Sequence, residues 1–460
     1  MTEKIFGTSG IRGDIIEKSN PELAQYLGRA LGTYLEGKGT VGVGMDYRTS
    51  NIMLRNALVS GIVATGANVD DLGIAPMPTV ASYSALGNIA ASVIITASHN
   101  PPKDNGFKFF NGGREFVRSE EENLENLVKK RKFRIAEWDE IGAIEQVNIK
   151  QSYLKRVKEF ALKRGEASTG TRFLLDLANG AACNYTPNIM RELGFSISTI
   201  NSHPDGHFPG RPAEPSPKNL VDTMKMMQDS DFAAALCHDG DGDRLAVIDE
   251  NGKFIDQNRI IALFAQDEVK RRGEGLVVVS IDTSSVIDEL VKKAGGEVIR
   301  SPLGSLQEFL EKRGEEVVFA SEPWKPIFRE YGMWMDGIMG AVRVAQMIEA
   351  DGDGSCIKLM KSIPEYPILR DFIPCPDEIK PCFSAHIRKY LESDISGIER
   401  VLDSDGVRID CKDGSYVLIR VSGTEPKARL YVGAKTENAL KKLEKIARDV
   451  MNRTIEECKS

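Results

Sequence analysis

One unit of sequence occurs three times along this chain: an apolar run, an aspartate, a small polar turn, an amphipathic stretch, a glycine and a second apolar run. It appears as "VGVGMDYRTSNIMLRNALVSGIVATGANV" from Val41, "FLLDLANGAACNYTPNIMRELGFSIST" from Phe173 and "VVVSIDTSSVIDELVKKAGGEVI" from Val277. A helix that returns the chain to a second strand is a βαβ crossover, and such crossovers build mainly parallel sheets. Three similar α/β domains are therefore expected. The opening stretch agrees, because Asn20 and Pro21 mark a helix start and Leu23, Leu27, Ala30, Leu31 and Tyr34 make one apolar face. Gly32 to Gly39 is a near miss to a nucleotide P-loop, but Gly39 stands where Ser or Thr is needed, and the segment ends a helix instead of starting one.

After about residue 365 the pattern changes. "EYPILRDFIPCPDEI" is proline-rich and reads as a linker; "SYVLIRVSGTEPKARLYVGAKT" alternates like strands, and a long helix near residues 437 to 456 closes the chain. A smaller α+β fourth domain is the simplest account. A length of 460 residues suits this count at about 150 residues per domain.

Composition narrows the partners. With 41% hydrophobic and 28% charged residues and no apolar run of membrane-spanning length, an ordinary globular chain is expected. "MTEKIFGTSGIRG" lacks the pattern of a signal peptide, so a cytoplasmic protein is expected. A net charge of -7 disfavours nucleic acid and anionic membrane, and any anionic ligand must be held by a few local cations. The basic "KKRKFR" (129 to 134) closes a segment opened by Glu120, Glu121 and Glu122, matching the two ends of one helix dipole. Seven cysteines (183, 237, 356, 375, 382, 411 and 458) show neither CxxC spacing nor a disulfide framework, and read as reduced packing residues. His203, His207 and His386 are assigned ordinary polar or packing roles, and "EADGDGSC" (349 to 356) a solvated loop after a helix.

Two stretches carry chemistry. In "CHDGDGDRLAVIDENG", Asp239, Asp241 and Asp243 alternate with single glycines. Alternate residues of extended chain face one way, and glycine lets the backbone bend around one hard cation. Three such carboxylates repel unless neutralised, and all-oxygen ligation suits Mg2+; the bland alternative is a solvated acidic turn. An EF-hand would require Gly where Arg244 stands and helices on both sides. A phosphatase with an aspartyl nucleophile is the rival enzyme class. The second stretch, "TASHNPPKDNGFKFFNGG" (96 to 113), places Ser98 beside His99. No G-x-S-x-G elbow surrounds it, neighbouring side chains diverge, and a turn-capping role would ordinarily suffice. A serine hydroxyl beside a triple-carboxylate metal site could instead carry a phosphoryl group.

"FGTSGIRG" (6 to 13), "TASHNPPKDNGFK" (96 to 108), "DGDGDR" (239 to 244) and "RVSGTEPKAR" (420 to 429) occur in the order seen in the α-D-phosphohexomutases, and the resemblance covers essentially the whole chain. It implies four domains around a central cleft, expected at 1–150, 151–250, 251–366 and 367–460, the first three α/β with mixed, mainly parallel sheets and the last α+β. It also implies a phosphoserine at Ser98, with Ser98, Asp239, Asp241 and Asp243 around one Mg2+. Arg12, Arg244 and Lys108 resemble the cations lining the transfer site, with Lys108 and His99 the candidates for proton transfer. Arg420, Ser422, Gly423, Thr424 and Arg429 match the loop that holds the phosphate not being transferred; "SGTEP" could otherwise be a plain turn. Asp46 and Arg48 resemble a family pair and read as a structural ion pair.

The implied reaction is a reversible 1,6-phosphoryl shift on a hexose phosphate through a hexose 1,6-bisphosphate, in a monomer or homodimer. The family reads sugar hydroxyls with a Glu-x-Ser-Gly loop; here Glu322 is kept, while Trp324 and Lys325 replace Ser and Gly. "DGHFPGRPAEPSPKNL" (205 to 220) resembles archaeal-type phosphoglucosamine mutases, which favours glucosamine phosphate over mannose or glucose phosphate. A sugar-phosphate-binding homologue without turnover is the non-enzyme alternative.

Overall fold

The computed structural model describes residues 4–7, 9–423 and 425–459. Its contacts divide the chain into two compact units, one of Met1–Ile255, Leu310–Lys312 and Trp324–Lys361, the other of Asp256–Phe309, Arg313–Pro323 and Ser362–Ser460.

The first unit holds two sheets. All three predicted crossovers form, and the first joins Thr40–Met45 through the helix Asn51–Val63 to the parallel strand Asn68–Ile74. Ile89–Ile95 adds parallel on the other side; Asp104–Asn111 returns antiparallel to it and is itself flanked by Ile11–Asp14. The central strands are buried on both faces, with Val41, Val43, Ala91, Val93 and Ile95 on one and Gly42, Gly44, Ser92 and Ile94 on the other, as strands covered on both sides require. The helix Pro21–Tyr34 starts as expected, Asn20 Oδ1 accepting from the Leu23 amide at 2.9 Å. It packs against Asn51–Val63 at a distance only glycine permits, since a Cβ on Gly28 would stand 2.1 Å from the Leu58 carbonyl oxygen. The second sheet sets Arg172–Asp176 parallel to both Ser196–Ile200 and Ala234–Cys237, and Ala246–Asp249 closes it antiparallel.

In the second unit Leu276–Ser280 lies parallel between Glu297–Ser301 and Val317–Glu322. Beyond it five antiparallel strands form a sheet covered by the helices Lys380–Asp394 and Glu437–Lys459, whose Phe383, Ile387, Leu443 and Met451 enter its core. The α/β class with mixed, mostly parallel sheets and an α+β C-terminal part is therefore the observed one.

Two expectations fail. The stretch taken as a linker contains the strand Ile368–Pro374, paired with Lys427–Gly433; its place at the sheet edge and Pro374 at its last position accommodate the prolines. The cysteines are not all free, because Cys382 and Cys458 form a disulfide across 76 residues, an encounter set by helix packing and invisible to local spacing. The other five lie outside this disulfide and are buried. The acidic and basic ends of "SEEENLENLVKK" do flank one helix, Arg118–Lys130. Among the described residues no helix is long and apolar enough to cross a membrane.

Candidate active site

The serine loop joins the end of Ile89–Ile95 to the start of Asp104–Asn111. Ser98 is fully buried and adopts φ +52°, a left-handed conformation that costs a non-glycine residue energy unless its surroundings hold it. Arg48 is what holds it. Its guanidinium donates to the carbonyls of Ser98 (3.0 Å), Asn100 (2.8 Å), Pro101 (2.6 Å) and Asp104 (2.8 Å). Asp46 Oδ2 sits 3.3 Å from Arg48 Nε, and the Phe208 ring covers the guanidinium at 5.0 Å. Thr96 completes the frame, its hydroxyl accepting from the Ser98 amide at 2.8 Å and donating to Asp46 at 2.7 Å. Sequence alone gave Arg48 an ion pair; its four carbonyl partners and the part played by Thr96 have no local signature. The turned backbone also brings His99 Nδ1 to 3.3 Å from Ser98 Oγ, against the expectation that these neighbours diverge.

The aspartate loop connects Ala234–Cys237 to Ala246–Asp249, strands and not helices, which excludes the EF-hand. His238 shapes it, donating from Nδ1 to the Arg244 carbonyl (2.9 Å) and accepting at Nε2 from Thr186 (3.0 Å). Gly240 runs against the serine loop so closely that a Cβ would lie 2.5 Å from the Ser98 carbonyl oxygen. Asp239, Asp241 and Asp243 are fully buried, with one oxygen of each within 4.8 Å of the others. Asp239 Oδ2 accepts from Ser98 Oγ at 2.7 Å, and its Oδ1 from the Gly242 and Arg244 amides. Lys108, opposite Ile94 in the sheet, reaches Asp243 Oδ2 at 2.8 Å and Asp241 Oδ2 at 3.4 Å.

Burial and mutual repulsion push the Asp239 carboxyl well above its usual range. Asp243 is depressed well below it, since Lys108, Lys325 and Arg244 overcome the effect of burial. Burial works against the Lys108 ammonium, but Asp241 and Asp243 outweigh it and keep Lys108 a cation. His99 is pushed down to about 2 by burial and by Arg244, Arg12 and Lys325, and stays neutral. Asp241 Oδ1 and Asp243 Oδ1 are buried and find no hydrogen-bond partner among the described residues. Two unpartnered carboxylate oxygens beside a third carboxylate and a serine hydroxyl fit a hard divalent cation such as Mg2+.

Arg244 stands 4.0 Å from Asp239 and 3.7 Å from Glu214, over the Trp324 indole at 5.5 Å. Arg12 donates to Ser9 Oγ at 3.2 Å. Lys325 is buried with its ammonium 3.3 Å from Asp243 Oδ2, so it belongs to the carboxylate cluster, where sequence had grouped it with sugar recognition. Glu322 accepts from the Gly304 amide at 2.9 Å. In the second unit Arg420 and Arg429 stand opposite each other on adjacent strands, a like-charge pair that suits an anion between them. Asp405 pairs with Arg420 at 3.0 Å and Glu425 with Arg429 at 3.1 Å. Ser422 opens the turn, and its hydroxyl accepts from the Glu425 amide at 3.2 Å. Lys380, not anticipated, holds the Ser422 and Glu425 carbonyls at 2.5 and 2.7 Å. Gly423 lies in this turn, and Thr424 lies outside the described residues.

A buried serine bonded to one of three clustered carboxylates and ringed by cations, at the mouth of an α/β sheet, defines a phosphoryl-transfer enzyme. The chain belongs to the phosphoglucomutase/phosphomannomutase family, whose mutases are intramolecular phosphotransferases. It matches that family's alpha/beta/alpha domain I over residues 3–135, domain II over 151–252, domain III over 256–366 and the C-terminal domain over 373–450. It is 41% identical over 456 residues to a phosphopentomutase of Thermococcus kodakarensis, covering 99% of both chains. It is 38% identical over 459 residues to a probable phosphoglucosamine mutase of Methanopyrus kandleri, again covering 99% of both. Among solved structures, a phosphoglucomutase/phosphomannomutase family protein of Burkholderia thailandensis shares the fold, with a TM-score of 0.86 at 24% identity over 99% of this chain and 98% of that one.

Proposed function

We propose that the chain interconverts sugar phosphates through a phosphoserine at Ser98 and a bisphosphorylated sugar. The observation that carries this reading is the 2.7 Å contact of Ser98 Oγ with Asp239 beside two unpartnered buried carboxylate oxygens. Phospho-Ser98 gives its phosphoryl group to the free hydroxyl of the bound sugar phosphate: the Oγ–P bond breaks and a sugar O–P bond forms. The bisphosphate turns over, its other phosphoryl group returns to Ser98, and the isomeric monophosphate leaves. Mg2+ held by Asp239, Asp241 and Asp243, with Ser98 completing the ligands, supplies charge neutralisation when bound. Arg48 keeps the Ser98 backbone in its turned conformation, while Lys108, Lys325 and Arg244 offset the charge of the transferring group. His99, neutral and beside Oγ, is placed to orient the transferring group by hydrogen bonding, and Lys108 stands with it as the pair of candidates for handling the sugar hydroxyl proton. Arg12 lines the transfer site, and Arg420, Ser422, Gly423, Thr424 and Arg429 clamp the phosphate that stays. Positioning and electrostatics carry most of the acceleration.

The sugar assigned from sequence is glucosamine phosphate, supported by the relatives named probable phosphoglucosamine mutases. A second reading, pentose phosphate, is supported by the 41% identical relative named phosphopentomutase. A coupled assay with Mg2+ and catalytic sugar bisphosphate, run on glucosamine, mannose and glucose 6-phosphates and on ribose 5-phosphate, ranks the sugars. Binding without interconversion of any of them would leave a non-catalytic homologue.

A further inference from the structure

Outside the active site, one cluster of sulfur and imidazole groups takes no part in this chemistry. Cys382 and His386 lie one turn apart on the helix Lys380–Asp394, and Cys458 comes from the last turn of Glu437–Lys459. The disulfide joins the two helices with Cα atoms 5.8 Å apart. His386 Nδ1 is 3.6 Å from Cys382 Sγ and donates to the Cys382 carbonyl at 2.9 Å. One ligand atom of each of the three residues lies within 4.8 Å of the others.

The helix pair does not depend on the disulfide for its position. Phe383, Ile387 and Leu391 on one helix and Val450, Met451 and Ile455 on the other are buried in a common core. Arg453 bridges to Asp394 at 3.0 Å, and Tyr390 bonds to Glu457. Reduction therefore leaves two thiols and an imidazole facing one another. Unlike the other five cysteines, which are buried, these two are only partly buried and open to solvent reagents. Two sulfurs and one ring nitrogen are the donor set of a thiophilic tetrahedral cation, with water as fourth ligand. Metal–sulfur bonds of about 2.3 Å place the two sulfurs about 3.8 Å apart. Rotation about the Cα–Cβ bonds reaches that separation from the present Cα spacing.

We propose that Cys382, His386 and Cys458 form a binding site for a thiophilic divalent cation of the zinc class, present only in the reduced chain and exclusive with the disulfide. On binding, both thiols release their protons to solvent, and Nδ1 of His386 gives up its bond to the Cys382 carbonyl, the ring proton moving to Nε2. A low-molecular-weight disulfide reverses this. The two thiolates lose two electrons and form the Sγ–Sγ bond; the oxidant takes those electrons and two protons from solvent and leaves as two thiols; the cation is released.

The test is a Co2+ titration of the full chain with excess Mg2+ present to fill the carboxylate site. Reduced protein, verified by alkylation of all seven cysteines after denaturation, should develop sulfur-to-cobalt absorption saturating at one equivalent. Protein oxidised with a small disulfide should develop none. Cys382→Ser and Cys458→Ser should each abolish the band, and His386→Ala should weaken binding by at least about tenfold. The proposal is overturned if reduced wild-type protein gives no such band, or if the band survives in both serine variants.

Discussion

Arg48 decides how Ser98 is presented. Four carbonyls converge on one guanidinium whose planar fork a lysine cannot reproduce. Arg48→Lys should lower kcat by at least about tenfold while KM moves little, because the loop loses its shape and not its charge. Steady-state kinetics on the folded variant check this. Gly240→Ala, whose Cβ would press on the Ser98 carbonyl, should lower kcat and Mg2+ affinity together, read by kinetics and by calorimetric Mg2+ titration. Ser98 and the three aspartates were legible in the sequence because the chemistry they imply needs few residues at short spacing. Arg48 as organiser, Thr96 and Lys380 were not, since each acts on backbone carbonyls or on residues far along the chain. Lys325 was legible as a departure from pattern, yet only the structure directs its ammonium to Asp243.

Among the elements, the strand Val407–Cys411 carries a buried charge cluster. Arg408 donates to the Ile281 and Thr283 carbonyls at 2.6 and 2.7 Å and stacks over Tyr416 at 3.9 Å. Burial opposes ionisation of its neighbour Asp410, but Arg408, Arg300 and Arg400 prevail and bring that carboxyl from 3.8 down to about 2. A depressed carboxylate stabilises the fold above its unfolded value and loses that contribution as pH falls through the folded one. The C-terminal part should therefore lose about 2 kcal/mol between about pH 4 and pH 2, and Asp410→Asn should flatten this dependence, measured by urea unfolding at each pH. Reduction of Cys382–Cys458, which closes a 76-residue separation, should cost up to about 4 kcal/mol in the same assay. The βαβ crossovers were readable because hydrophobic period and chain reversal agree in each. The strand Ile368–Pro374 was not, because proline argues against a strand wherever edge position is unknown.

At the scale of the whole molecule, a repeated α/β plan supplies loops at strand ends, and two of these loops bring Ser98 and the three aspartates, the proposed phosphoryl-transfer centre, together inside one compact unit. Filling that centre should tie the loops together. Mg2+ at about a hundred times its dissociation constant should stabilise the chain by about 2.7 kcal/mol, with slower hydrogen exchange at residues 96–108 and 238–244, and chelation should reverse both. The assignment to the phosphoglucomutase/phosphomannomutase family was within reach of sequence because four motifs occur in order. The sugar was not, because the stretch expected to recognise it departs from the family pattern at Trp324 and Lys325. The most direct measurement is phosphate mapping by mass spectrometry after incubation with isotopically labelled sugar bisphosphate and Mg2+. The account predicts one hydroxylamine-resistant phosphoryl group on Ser98 that chases into monophosphate when unlabelled substrate is added. A hydroxylamine-labile label on Asp239, or no protein-bound label at all, would contradict it.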